Sequence, residues 1–275
     1  METPPASGSN QGAAGDPGAS SPQTSGPDTV REQAPIPPPP PAAPPPPVAA
    51  ERLPAARIES FPLLDREARR RHETDVQLSF AMYLVLGFVT LGIYSIYVHY
   101  KLIARQRDHF RRMLRFCDDL LRVIEERAEL TGQSEALAAE IAEVRSLKER
   151  FDEVHRKRQR SPGLWIVLSI LSFGLLFFYV LYFLNDDLVK HQQIEAEYLE
   201  RASLLLNKLG VGRHPVIVEQ VVPDRSFPLY LILTIVTLGL FELYWAYARI
   251  KDGNEHFNEH ARFEDQLLSL IRAYA

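Results

Sequence analysis

The chain has 275 residues, 31 Lys and Arg against 35 Asp and Glu, and a formal charge of −4. Its single cysteine, Cys117, excludes an intrachain disulfide framework, and no Cys/His group has zinc-finger spacing. No metal, cofactor or nucleic-acid partner is expected from this composition.

Sixteen of the 21 prolines lie at or before Pro54, among Gly, Ala and Ser and without an aromatic residue. Such a stretch cannot bury enough apolar surface to offset its ordering entropy, so residues 1–56 are expected to be a disordered Pro-rich tail. The run from Pro35 to Pro47 favours a polyproline II spacer that could also dock into an aromatic-lined groove. No basic segment leads into an apolar stretch at the start, so no cleavable signal is expected.

Three apolar stretches follow, residues 78–100, 163–184 and 227–248, each 22 or 23 residues long and nearly free of charge. A helix needs about that length to cross a hydrocarbon core of ~30 Å at ~1.5 Å per residue. The predicted fold is therefore an all-α membrane protein with three transmembrane helices. The three stretches share one frame: Tyr83, Trp165 and Tyr230 align, as do Thr90, Ser172 and Thr237; Gly92, Gly174 and Gly239; and Tyr97, Tyr179 and Tyr244. This is internal repetition, and it extends into charged sequence, where "HFRRMLRFCDDLLRVI" from His109 matches "HFNEHARFEDQLLSLI" from His256. The aromatic pairs suit the two lipid–water interfaces. The Thr/Ser-x-Gly step reads either as a close-packing point between helices or as a kink.

"TLGIYSIYVHYKL" from Thr90 and "TLGLFELYWAYARIKD" from Thr237, the latter with Tyr244 followed by Trp245, resemble the signature of a bacterial membrane family catalogued as domain of unknown function 4234. The resemblance implies an integral protein of the bacterial cytoplasmic (inner) membrane with no assigned activity, and it brings no catalytic residues.

The connections are polar. Residues 101–160 carry an apolar seam of Met113, Phe116, Leu120, Val123, Leu130, Leu137, Val144, Leu147, Phe151 and Val154, interrupted by Arg127 and Glu140. The spacing predicts a cytoplasmic antiparallel coiled-coil hairpin that turns at Gly132, with Ser134 capping its second helix. Residues 185–226 read as a helix ended by Gly210 and then an extended segment from Pro215 to Pro223, and residues 249–275 as an amphipathic helix. Ser79, Ser161 and Ser226 are expected helix caps.

Three single spans place the 101–160 hairpin and the C-tail in the cytoplasm by their basic flanks, with the N-terminus outside. That leaves "REARRR" (Arg66–Arg71) and a 77-residue tail on the exported side. The alternative bends each stretch at its Thr/Ser-x-Gly step and returns it to the cytoplasmic face, at the risk of exposing backbone groups to hydrocarbon. Span length favours crossing.

His109, His191 and His256 each follow the shared glycine by 17 positions, with His260 one turn beyond His256. Converging imidazoles could bind a metal, but three spans put His191 across the membrane from the others, so they read as separate interfacial histidines. Glu242 is the one acid inside an apolar stretch and is expected to snorkel or to pair with Arg249. No Walker loop, dinucleotide fingerprint, zinc-protease helix or nucleophile elbow is present, and an enzyme is not expected. The expected function is interaction or scaffolding, with a protein partner or self-association through residues 101–160. The alternative is an oligomeric transport or sensing component with a path lined by Thr90, Ser172, Thr237 and Glu242.

Overall fold

A computed structural model describes residues 57–274; the Pro-rich tail lies outside them. Nine helices make up these residues, with no strand among them: α1 (Phe61–Arg69), α2 (Arg71–Thr74), α3 (Phe80–Val89), α4 (Ile93–Leu130), α5 (Ala138–Lys157), α6 (Pro162–Leu171), α7 (Leu175–Lys208), α8 (Phe227–Val236) and α9 (Leu240–Arg272).

The expectation of three membrane-crossing helices is corrected. No described helix is long and apolar enough to cross a membrane. Each apolar stretch is instead a hairpin made of a ten-residue helix, a reversal at Thr/Ser-Leu/Phe-Gly, and a long helix of 38, 34 or 33 residues. The cause is in the turn. Gly92, Gly174 and Gly239 have φ of 92°, 88° and 91°, and the residues before them, Leu91, Phe173 and Leu238, also lie in the left-handed region at about 50°. Two successive positive-φ residues end a right-handed helix and turn the chain back, which total hydropathy does not register.

The turns satisfy their own polar groups, which removes the objection to a bend in an apolar setting. In the first, Leu91, Gly92 and Ile93 donate to the carbonyls of Phe88, Gly87 and Thr90 at 3.2, 2.8 and 3.1 Å. The Thr90 hydroxyl donates to the Leu86 carbonyl at 2.6 Å and accepts from the Tyr94 N–H at 2.9 Å. Ser172 does the same between Ser169 and Leu176, and Thr237 between Leu233 and Phe241. One hydroxyl, which is both donor and acceptor, thus caps two helices at once.

The long helices α4, α7 and α9 run side by side in register. Val98, Leu102 and Ile103 of α4 share a core cluster with Val180, Phe183 and Leu184 of α7 and Ala246 and Ile250 of α9. Residues at similar distances from the three glycines therefore meet, and all three turns lie at one end of the bundle. Arg105 helps to fix the register. It crosses α9 where Gly253 leaves room for it and donates to the carbonyls of Arg249 and Ile250, the carbonyl of Val76 and the Asn254 side chain.

At the opposite end the polar connections fold into a second core. The 101–160 hairpin exists as α4 and α5, but α4 begins at Ile93 and the pair is not free-standing. Met113, Phe116, Leu120 and Val123 are buried with Leu64 of α1, Tyr198 and Leu205 of α7, and Phe263 and Leu267 of α9. The residues that break the seam find partners inside the chain: Arg127 lies over the Tyr274 ring at 4.8 Å, and Glu140 pairs with Lys208 at 2.8 Å. Gly132 ends α4 with φ of 65°, but Ser134 caps nothing and the next helix starts at Ala138. Among the three expected serine caps only Ser79 makes its side-chain bond, to the Met82 N–H at 3.3 Å. Residues 215–220 form neither a helix nor a strand. They are held where the Val216 N–H donates to Ser203, and just beyond them Val222 exchanges two hydrogen bonds with Gln192.

Candidate functional site

Two features stand out, one at each level of the bundle. The first is the turn end. Leu91, Phe173 and Leu238 are 95%, 99% and 95% exposed, and Phe88, Val89, Ile93, Leu171, Leu175, Val236 and Leu240 around them are also exposed. Apolar side chains exposed together at the tips make this end a candidate interaction surface.

Thr90, Ser172 and Thr237 sit in these turns with their hydroxyls committed to local bonds. Glu242 pairs with Arg249 at 2.8 Å, and Arg249 also stacks over Trp245. Tyr97, Tyr179 and Tyr244 remain half exposed, below the tips. Glu242 also borders an open groove of about 480 Å³ between the first two hairpins, beside Tyr83, His99 and Phe177.

The second feature lies about 25 Å down the long helices, since 17 residues at ~1.5 Å separate it from the glycines. Here His109 of α4, His191 of α7 and His256 of α9 converge, which corrects the expectation that they are separate. Only single spans would keep them apart; hairpins that all turn at one end put the residue 17 positions beyond each glycine at the same height. Glu195 and His260, each one turn beyond a histidine on the same face of its helix, complete the group. One ligand atom from each of the five residues lies within 4.8 Å of every other, and all five residues are buried. The spacings His-x3-Glu ("HQQIE") and His-x3-His ("HFNEH") carried this information in the sequence.

The cluster is densely connected. His109 Nε2 lies 3.2 Å from His191 Nε2, and Glu195 Oε2 lies 3.1 Å from His191 Nε2 and 2.8 Å from His260 Nε2. Yet both Glu195 oxygens, His256 Nε2 and both His260 nitrogens lack a partner in hydrogen-bond geometry. Outside this ring, Asp75 holds His109 Nδ1 at 3.0 Å and His155 holds His191 Nδ1 at 2.6 Å. His155 in turn bonds the Phe151 carbonyl at 2.6 Å.

Burial pushes His109 down to about 4 and His155 down to about 3, and it lowers His191 and His256 as well. Burial would raise Glu195, but the imidazoles of His191 and His260 bring it well below the carboxylate range. Burial likewise opposes a charged His260, but Glu195 beside it raises that pKa. Three imidazoles that burial holds toward the neutral form, a fourth paired with the carboxylate, and that ionised carboxylate together form a donor set able to hold a cation.

No curated protein and no solved structure matches the chain. A family model described as "Domain of unknown function (DUF4234)" matches residues 225–271, so the identifiable kinship of this chain rests on its third hairpin, the one that carries His256 and His260.

Proposed function

We propose that this protein is a monotopic membrane scaffold. Three apolar hairpins enter one leaflet from the cytoplasmic side of the bacterial inner membrane, and the helical body rests on that face as a platform for protein partners. One observation carries the reading. The tips expose Leu91, Phe173 and Leu238 almost completely, while the backbone N–H groups of each turn are bonded within the turn. An exposed apolar turn that has no need of water for its polar groups suits hydrocarbon. Ten-residue helices are ~15 Å long, half of a ~30 Å core. Basic flanks on every connection then lie on one side, and "REARRR" no longer has to be exported.

The test is sidedness. In a Cys117→Ser background, single cysteines at Gln133 and Gly212 are probed with a membrane-impermeant thiol reagent in intact cells and after lysis. Both sites should react only after lysis, and cysteines at Leu91, Phe173 or Leu238 should resist the reagent in either case while lipid is present. Opposite behaviour of Gln133 and Gly212, or tips that react freely in membranes, would overturn the reading.

A further inference from the structure

We infer that His109, His191, Glu195, His256 and His260 form a structural site for one divalent first-row transition metal of the zinc or ferrous class, and that this metal ties the three hairpins together. The membrane reading is not needed for this.

The outer partners fix where the ring hydrogens sit. The Phe151 carbonyl can only accept, so His155 Nδ1 carries the hydrogen and His155 Nε2 presents a lone pair. That lone pair accepts from His191 Nδ1 at 2.6 Å, which leaves a lone pair on His191 Nε2. On the other side the Asp75 carboxylate accepts from His109 Nδ1 at 3.0 Å and leaves a lone pair on His109 Nε2. The outer partners thus turn two bare nitrogens toward each other, 3.2 Å apart. Two lone pairs at that distance repel unless a cation lies between them.

The separations fit a metal. Two ligands bonded to one ion at ~2.0–2.1 Å are roughly 2.9–3.4 Å apart when adjacent in octahedral or tetrahedral geometry. The measured edges of 2.8, 3.1 and 3.2 Å fall at or within a tenth of that range. Opposite ligands are ~4.2 Å apart, so the outermost pair, at up to 4.8 Å, has to close by a few tenths of an ångström. Imidazoles with one carboxylate suit Zn²⁺ or Fe²⁺ over Mg²⁺ or Ca²⁺, which prefer all-oxygen cages. Asp75 and His155 act as the outer partners that orient ligating histidines and set their tautomers. Burial of all five residues leaves no route for substrate, the mark of a structural site. Each long helix contributes the histidine at its seventeenth position. One turn on, α7 and α9 add Glu195 and His260, whereas α4 places Met113 in the apolar core.

The experiment uses the full chain, purified in detergent without a polyhistidine tag. Elemental analysis should find close to one first-row metal per chain. After stripping by a chelator, Zn²⁺ should raise the melting temperature by about 5–10 °C at a hundredfold excess over Kd. Co²⁺ should develop visible d–d absorption that saturates at one equivalent. His256→Gln and Glu195→Gln should lose the metal, and Asp75→Asn should weaken it by about 10–100-fold. Since a ligand variant could fail to fold, the stripped wild-type chain decides. A metal-free preparation with no Zn²⁺ shift and no Co²⁺ absorption means that the cluster carries a proton in a hydrogen-bonded network, and the inference fails. It fails equally if metal stays at one equivalent in a folded His256→Gln/Glu195→Gln double variant.

Discussion

Replacing Phe173 with Asp isolates the contribution of one hairpin tip. The Phe173 side chain is 99% exposed, so the substitution removes almost no contact within the protein and should leave the far-UV spectrum unchanged. Under the proposed insertion its effect lies in the lipid. Helix α6 has ten residues, ~15 Å, which takes the turn to the middle of a ~30 Å core. At that depth an Asp costs about 2.5–3.5 kcal/mol and a Phe gains about 0.3–0.6, so the exchange costs ~3–4 kcal/mol. At ~1.4 kcal/mol per decade, that weakens partitioning by about two to three orders of magnitude. Leu91→Asp and Leu238→Asp should each do the same, and the three together should abolish binding. The assay is flotation of purified protein with liposomes over a series of lipid concentrations, with Gln133→Asp as the surface control. A Phe173→Asp chain that partitions within about threefold of the native one would refute the depth argument.

Three other outcomes follow from the same structure. Gly174→Ala meets no atom within 4 Å, yet φ of 88° should cost about 1–2 kcal/mol through backbone strain alone. Gly163→Ala, in the first turn of α6 with open space around it, should be neutral or stabilise by up to about 1 kcal/mol; denaturant titration compares the two. Thr237→Val keeps the shape but strands the Phe241 N–H, and it should cost about 1–3 kcal/mol in the same titration, whereas Thr237→Ser should retain most of the stability. Arg112→Met leaves Glu264 and Asp75 without the buried guanidinium that now bonds them at 2.6 and 2.7 Å, for a loss of about 3–5 kcal/mol, and adding Glu264→Gln should restore part of it.

The all-helical content, the three apolar stretches and their common frame were legible because hydropathy and residue spacing carry them directly. The Thr/Ser-x-Gly step was legible as the place where each stretch could bend, but the choice of bending over crossing was not, because it depends on φ at Leu91, Phe173 and Leu238, residues that look like ordinary helix formers. That one omission spread to the site. With the hairpins read as spans, His191 falls across the membrane from His109 and His256, and a shared site is expected only if the stretches bend back. Asp75 and His155 carry no local signal at all, since α2 and α5 bring them to the site only through tertiary packing. The breaks at Arg127 and Glu140 suggested a missing partner because a sequence seam does not show that Tyr274 and Lys208 return to meet them.

The hairpins also bear on how such a chain can grow. A segment that crosses a membrane once reverses the sidedness of everything after it, so tandem copies of one crossing unit alternate, and flanks of identical sequence face different media. A segment that returns to the side it left adds no crossing and preserves parity. Copies can then accumulate in any number, each presenting its seventeenth position to the same compartment and at the same height. Under the proposed insertion, that rule is what lets the histidines of all three stretches meet.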